Sequence, residues 1–600
     1  MAESQELLRR LRAHLQQVHD DPLTPFDQKL FDTASYIFLP ELRSEQSESL
    51  VLQIYQLLPT LQQDPEPVTR LLAKLLEPVS LGTILSFEPQ VDLVAGLDLV
   101  AKPYHLLTLS ILAKADAASA QNLATSQPQI FISLVRLWLA TDDEGAADKA
   151  GSVLLHLLEV DKDESEMGGW DGSVWKRVFR DKDVYGQIYS ICSLNSQEPV
   201  SLSRQRKTVA QARLLDWIPP VAEMDWDTIT QSYIPEIEQS FGLNPGYEGL
   251  LDFAAVHMVD FKSDVLMHRS LIGFFTTLIT TVTNKSTKIG TDRPKNNADS
   301  SLSLDFLTTR GLHSRTLAYY IQQDHPSHDP LDSTFLYGPA ANYVASYIST
   351  YPQSFAQSGD LQHRVIEKVS STIHLSDYRW RHSHSPSEDL HVLSCIPRPL
   401  LVTLGTASPH LLLPSKFPNP DILHTLATLF HGPLEDQTLT FPPQPELTPT
   451  ASTDPEALAA KTLYYSYIST HDALWADAIT HATTPALVDA ALAATTLVKA
   501  VVTAPWGGID AVMAAPARRS VVPWLVGPPK TFGSGVGARA EPHSAAYRVA
   551  LAKFECLRAF WDAVRDEKRF GATAVQARRR LRDGVLGGVE GERSVGTLEL

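Results

Sequence analysis

Cysteine is scarce in this sequence. Its 600 residues include three cysteines, Cys192, Cys395 and Cys556, which lie far apart and each in or beside an apolar segment. An odd number of widely spaced cysteines indicates buried free thiols in a reducing compartment, and it argues against a disulfide framework as the basis of the fold.

Long hydrophobic runs are also missing. No segment reaches the roughly 18 apolar residues that a membrane-spanning helix needs. The N-terminus, MAESQELLRRLRAHLQQ, has no apolar core of signal-peptide length. These absences exclude a membrane as partner, and we expect a soluble protein of the cytoplasm, with the nucleus as a second location.

Positive charge is in the minority. The chain has 51 basic against 69 acidic residues and a net charge of −18. A chain this acidic is repelled by phosphate backbones, so we expect no direct nucleic-acid binding unless a local basic patch overrides the net charge. A protein partner with a basic surface fits this charge better.

Strand-like alternation is nearly absent, whereas helical periodicity recurs along the chain. One apolar stripe at i, i+3, i+4, i+7 and i+8 consists of Ala150, Val153, Leu154, Leu157 and Leu158. A last strong helix carries Ala550, Phe554, Leu557 and Trp561. Helical hairpins recur at roughly 40 to 50 residues, the spacing of armadillo and HEAT repeats. We therefore predict an all-α fold: a curved armadillo/HEAT-like helical-repeat solenoid with polar loop insertions.

Composition divides the chain into five predicted parts. They are N-terminal helical repeats at 1–240, middle repeats with a mobile loop (283–300) at 241–430, a Pro/Thr-rich loop at 431–455, C-terminal repeats at 456–570, and a flexible tail at 571–600. A helix that starts near Ser203 is predicted to stop at the pair Pro219-Pro220, because proline breaks helices.

The nearest approach to a metal site is an H-x-H-x6-H-x3-C pattern formed by His382, His384, His391 and Cys395. It matches no common zinc spacing. Exposed loop histidines and one buried cysteine explain the same residues, so we expect no metal and no other cofactor.

No catalytic motif emerges either. The glycine-rich segment 533–537 lacks the Lys-Ser/Thr ending and the preceding strand of a phosphate loop. No serine stands in a G-x-S-x-G elbow. The basic run from Arg565 to Arg582 favours a charged C-terminal helix and tail, with a nuclear-import signal as the second interpretation. We expect a binding protein and not an enzyme.

Two distant segments resemble the 26S proteasome non-ATPase regulatory subunit 5 family. The first phrase is carried by Leu93, Gly96, Leu97, Leu106, Leu107, Thr108, Leu109, Ser110 and Ile111, followed by Lys149, Leu154 and Leu157. The second consists of Pro505, Trp506, Met513, Tyr547 and the stretch 552–560. The phrase RQRKTVAQARLLDWIPPVA resembles the fungal branch of that family, which carries a DNA mismatch-repair name. Between residues 240 and 500, the only similarity to that family is the recurrence of helical periodicity.

The resemblance implies an assembly chaperone of the proteasome regulatory particle base. Such a chaperone binds the C-terminal domain of an ATPase-ring subunit and hinders premature docking on the core particle. Polar residues beside the strongest helices are candidates for the partner-facing side or for plain solvated surface: Tyr104, His105, Arg136 and Lys149. A generic armadillo-type adaptor and a mismatch-repair factor are the alternatives.

Overall fold

The computed structural model describes residues 2–35, 44–87, 91–163, 172–194, 202–244, 246–282, 301–322, 330–382, 386–403, 413–432, 454–484, 486–529 and 544–585. In these ranges the chain is all-α, without a strand. It divides into two units, Met1–Phe274 and Phe275–Leu600, and the boundary between them falls within a helix, Val265–Thr281.

In the described residues, sixteen α-helices precede that boundary helix, α17. They are α1 (Ala2–Asp20), α2 (Gln28–Thr33), α3 (Ser44–Leu57), α4 (Glu66–Leu75), α5 (Leu81–Leu85), α6 (Leu93–Gly96), α7 (His105–Leu112), α8 (Ala117–Ser126), α9 (Pro128–Ala140), α10 (Glu144–Asp163), α11 (Ser173–Phe179), α12 (Lys182–Cys192), α13 (Arg204–Met224), α14 (Trp226–Thr230), α15 (Pro235–Ser240) and α16 (Gly249–Asp252). A 3₁₀ turn, Lys102–Tyr104, leads into α7.

Sixteen further α-helices follow α17 within the ranges that the structure describes. They are α18 (Leu302–Thr309), α19 (Leu312–Ile321), α20 (Pro330–Thr350), α21 (Pro352–Gln357), α22 (Asp360–Ile373), α23 (Asp377–His382), α24 (Ser387–Cys395), α25 (Arg398–Thr403), α26 (Pro420–His431), α27 (Pro455–Thr470), α28 (Leu474–Ala482), α29 (Val488–Thr503), α30 (Gly508–Met513), α31 (Ala517–Val526), α32 (Ala545–Val564) and α33 (Gly571–Arg582).

The principal packing contacts join helices that are close in sequence. In the first unit, α9 packs against α10, α12 and α13, and α10 packs against α7 and α8. In the second unit, α29 packs against α26, α28 and α32, and α20 packs against α19 and α24. Contacts of this short sequence range are characteristic of helical-repeat proteins, in which each element is covered by its neighbours. The predicted all-α class of stacked helices is confirmed.

The predicted stripe on α10 is the buried face of that helix. All five of its apolar residues are at most 1% exposed. At the end of the helix the Asp161 carboxylate is fully buried, and its Oδ2 accepts hydrogen bonds from the backbone N–H groups of Val174 (3.0 Å) and Trp175 (3.3 Å). Asp161 therefore caps the first turn of α11, where backbone donors have no partner inside the helix.

The predicted stop at Pro219-Pro220 is wrong. Both prolines lie inside α13, which continues to Met224. Their missing N–H groups interrupt the helical hydrogen bonds, but Ile218, Val221 and Ala222 around them are almost completely buried. Apolar burial on both sides of the prolines thus offsets the local loss, since tertiary packing outweighs propensity for a buried helix.

The predicted tail at 571–600 is also corrected in part, because it begins with α33. The loop 283–300, most of the loop 431–455, the glycine-rich segment 533–537 and His384 lie outside the described residues. Within the described part of the chain, no helix is long and apolar enough to cross a membrane.

Candidate binding cleft

An apolar cleft of about 350 Å³ lies in the first unit, between α3, α4, α5, α6 and α7. Its apolar walls come mainly from α3 to α5 and the segment after them and include Val51, Leu58, Leu72, Leu76, Ile84, Phe87 and Val91. The opposite wall consists of the segment that carries the family resemblance, including Gly96, Leu107, Thr108 and Ile111. A mostly apolar concave site with a few polar groups is the usual form of a binding pocket.

Local sequence explains how α6 and α7 form this wall. Asp92 caps the four-residue helix α6, since its Oδ1 accepts a hydrogen bond from the Ala95 N–H (2.9 Å). Gly96 then passes so close to α7 that a Cβ atom at this position would lie 2.3 Å from Thr108 Oγ1. The Thr108 hydroxyl donates to the Tyr104 carbonyl oxygen (3.0 Å), which fixes its position. Glycine at residue 96 is therefore required by the close approach of the two helices.

Replacing Gly96 with alanine is expected to lower the free energy of unfolding by about 1–3 kcal/mol, because overpacking displaces Thr108 or separates α6 from α7. Urea denaturation measures the change. Gly82 on α5 is the matched control, since a Cβ there meets nothing within 4 Å. In a Thr108→Ala background most of the loss should disappear, and a loss of equal size there would contradict the proposed steric cause.

Polar groups in the cleft are few, and most of them have partners. The Asp92 carboxylate caps α6, and the Thr108 hydroxyl bonds α7. Tyr104 is half-buried, burial raises the pKa of its hydroxyl, and among the described residues that hydroxyl forms no hydrogen bond. The cleft can therefore receive apolar groups, with the Tyr104 hydroxyl available to donate to an acceptor of a partner.

The four residues proposed from the sequence for partner binding differ in their surroundings. Tyr104 lines the cleft. His105 is fully buried, and its Nε2 lies 2.7 Å from the Asp98 carbonyl oxygen, so it is a core histidine and not a surface residue. Arg136 on α9 and Lys149 on α10 are exposed and do not line the cleft. The structure thus brings only Tyr104 to the candidate site.

Two apolar side chains next to the cleft are left exposed. Val100 precedes the cleft residue Ala101, and Leu106 precedes the cleft residue Leu107; they are 87% and 59% exposed. Leu106 could not be recognised from the sequence as a surface residue, because α7 is apolar on most of its circumference. Exposed apolar side chains beside an apolar cleft extend the surface on which a protein partner can pack.

The described part of the chain contains no group of three or more His, Cys, Asp or Glu side chains placed to hold a metal. Of the H-x-H-x6-H-x3-C pattern, it includes the side chains of His391 and Cys395. His391 and Cys395 lie on α24. Burial lowers the pKa of His391 and raises that of the Cys395 thiol to about 11. Such a thiol is protonated at neutral pH and is a poor metal ligand or nucleophile.

The second segment of the family resemblance has a structural role in the other unit. The indole Nε1 of Trp506 donates to the Phe430 carbonyl oxygen near the end of α26 (2.7 Å). Its ring packs at 5.3 Å from that of Tyr464 on α27. Trp506 thus connects the loop after α29 to α26 and α27, so packing explains the tryptophan of the Pro-Trp pair.

Comparison with known proteins gives only distant similarities. No family model and no curated protein matches the sequence significantly. The crystal structure of Kap121p aligns with 96% of this chain and 56% of its own, at 11% identity and a TM-score of 0.37. A Kap121p mutant aligns with 92% and 54%, at 12% identity and a TM-score of 0.35. The chain spans little more than half the length of these structures, and at this level of similarity neither indicates its function.

Proposed function

We propose that this protein is a helical-repeat scaffold that acts as an assembly chaperone of the proteasome regulatory particle base, by binding the C-terminal domain of an ATPase-ring subunit. One observation carries the proposal: the phrase that resembles the chaperone family forms a wall of the apolar cleft, through Gly96, Leu107, Thr108 and Ile111. Protein interiors are closely packed and contain few empty spaces of this size, so packing alone does not account for the unfilled cleft.

The cleft suits an apolar anchor of a protein partner. Binding energy at interfaces is concentrated in a few apolar or aromatic side chains that enter pockets and exclude water. The half-buried Tyr104 and the exposed Val100 and Leu106 offer further contacts around such an anchor. The bulk of the bound scaffold would then hinder docking of the ring on the core particle, so the activity needs no catalytic step.

The two alternatives differ in the partner that they require. A generic armadillo-type adaptor would use the same cleft for a different protein. A mismatch-repair factor that binds DNA directly would have to overcome the net charge of −18. Identification of the bound protein therefore decides among the three functions.

Affinity purification of the full chain from cell extract, followed by mass spectrometry, is expected to recover a proteasomal ATPase subunit. The variant Ala95→Trp should lose it, because Ala95 is an exposed residue of the cleft and the larger side chain would fill the space without disturbing the core. A loss of tenfold or more in recovered subunit corresponds to about 1.4 kcal/mol or more of binding free energy.

The matched control is Ala118→Trp, which introduces the same side chain at an exposed alanine of α8 outside the cleft. It should recover the ATPase subunit as the unmodified chain does. Recovery of no ATPase subunit by the unmodified chain would refute the proposed function. Equal recovery by both tryptophan variants would refute the cleft as the binding site.

A further inference from the structure

The end of the described chain reverses the charge of the rest. Residues 544–585 contain 10 Lys and Arg against 5 Asp and Glu, whereas the whole chain has a net charge of −18. Helix α33 alone carries four arginines and no acidic residue. This positive charge is therefore local to the segment and does not follow from the composition of the chain as a whole.

Three of the four arginines lie on one exposed face of α33. Val575, Arg578, Arg579 and Arg582 occupy positions i, i+3, i+4 and i+7, which share one side of a helix. All four side chains are exposed, Val575 by 69%. The opposite side of α33 is buried, with Thr573 and Ala577. We call this exposed face the α33 arginine stripe; at 1.5 Å per residue the helix is about 18 Å long.

The stripe is held on a rigid support. Helix α33 packs against α31 and α32. The fourth arginine, Arg580, is buried and donates from Nη1 to the Gly584 carbonyl oxygen (2.6 Å), which closes the end of the helix. Before the helix, Arg569 pairs with Asp510 on α30 (2.7 Å). The folded helix fixes the backbone positions of the exposed arginines, so less backbone freedom is lost on binding than with a flexible tail.

Among the described residues, the arginines of the stripe have no acidic partner. Neighbouring arginines are paired, as Arg565 is with Asp562 and Arg569 with Asp510. In contrast, Arg578, Arg579 and Arg582 form no ion pair or side-chain hydrogen bond with any described residue. Their guanidinium groups present several N–H donors with the fork geometry that suits carboxylates.

We propose that the α33 arginine stripe is a docking surface for a short acidic segment of another protein that also carries an aliphatic side chain. The arginines would bind its carboxylates, and the exposed Val575 would pack against its apolar residue. Nucleic acid fits less well. It would extend beyond an 18 Å stripe over an acidic protein, and the stripe has no aromatic side chain on which bases could stack.

Fluorescence anisotropy with a labelled, glutamate-rich peptide that contains interspersed leucines and has the length of α33 tests the proposal on the full chain. The peptide should bind at low salt and more weakly at about 0.15 M salt. The variant Arg578→Glu/Arg579→Glu/Arg582→Glu should bind at least about tenfold more weakly. Val575→Ser should weaken binding without changing its salt dependence. Circular dichroism establishes that the variants are folded.

A triple charge reversal elsewhere is the matched control. Arg10, Arg269 and Lys461 are exposed residues of α1, α17 and α27, and their replacement with glutamate changes the net charge by the same amount. This variant should bind the peptide like the unmodified chain. No peptide binding at low salt, an equal loss in both triple variants, or binding of a single-stranded oligonucleotide in preference to the peptide would each overturn the proposal.

Discussion

Replacing Arg398 with methionine is expected to lower the free energy of unfolding of the second unit by about 3–5 kcal/mol, because it leaves the largely buried Glu456 carboxylate without its positively charged partner and two carbonyl groups without their side-chain donor. Arg398 is 1% exposed, and its Nη1 lies 2.9 Å from Glu456 Oε2. Urea denaturation followed by circular dichroism measures the loss.

The size of this effect follows from the position of the guanidinium group. Nη2 donates to the Thr428 carbonyl oxygen (2.6 Å) and Nε to that of Leu429 (3.2 Å), at the end of α26. The positive charge thus lies where carbonyl groups of a helix lack partners and the helix dipole is negative. Arg398 at the start of α25 also connects that helix to Glu456 at the start of α27.

Two further variants distinguish the effect of breaking a buried ion pair from the effect of removing a positive charge in general. In Arg398→Met/Glu456→Met the orphaned carboxylate is gone, so part of the stability should return. The exposed pair Arg9–Glu6, at 2.7 Å, is the control, and Arg9→Met should leave the stability unchanged within error because solvent screens that pair. An Arg398→Met effect no larger than that of the control would refute the argument.

Helical class was predictable because its signal is local. The α10 stripe depends only on the 3.6-residue period, and all of its residues are buried. The stripe on α32 was predicted with less success. Leu557 is buried, but Phe554 and Trp561 are half-buried beneath the guanidinium groups of Arg558 (5.5 Å) and Arg565 (5.1 Å). Periodicity locates a helical face only within a residue or so, whereas the neighbouring helices decide which residues they cover.

The candidate cleft could not be predicted from the sequence. Its walls come from residues between 51 and 111 that lie on five different helices and in the segments between them, and no spacing in the sequence shows which space the packing leaves empty. Tyr104 was selected from the sequence because it stands beside an apolar helix, and the same reasoning selected His105, which is buried. Polarity alone does not separate the two, since a histidine whose ring nitrogen bonds a backbone carbonyl can be accommodated in a core.

Acidification is expected to destabilise the second unit, through buried histidines. Burial lowers the pKa of His313 to about 4 and also lowers the pKa values of the half-buried His391 and the buried His431. His313 Nδ1 lies 2.8 Å from the Tyr343 hydroxyl, and its ring packs at 4.7 Å from that of Tyr347. Neither of these two contacts brings a negative charge to His313, so they would not stabilise the positive charge of a protonated ring.

The direction of the effect follows from proton binding. Between about pH 6.5 and pH 4 the unfolded chain protonates His313 while the folded chain does not, so stability falls as the pH is lowered through this window and is fully present above it. His313 alone should contribute a loss of about 2 kcal/mol between pH 7.5 and pH 5. Urea midpoints at these two values, read by near-ultraviolet circular dichroism, measure it.

His313→Gln isolates this contribution from that of the other titrating groups. The variant should be less stable at pH 7.5, because it gives up the packing against Tyr347, yet it should lose about 2 kcal/mol less than the unmodified chain on acidification, since glutamine does not titrate. His363, which is exposed on α22, is the matched control, and His363→Gln should retain the full pH dependence. If His313→Gln and the unmodified chain lost the same stability, burial of a neutral His313 would not be the origin of the acid sensitivity.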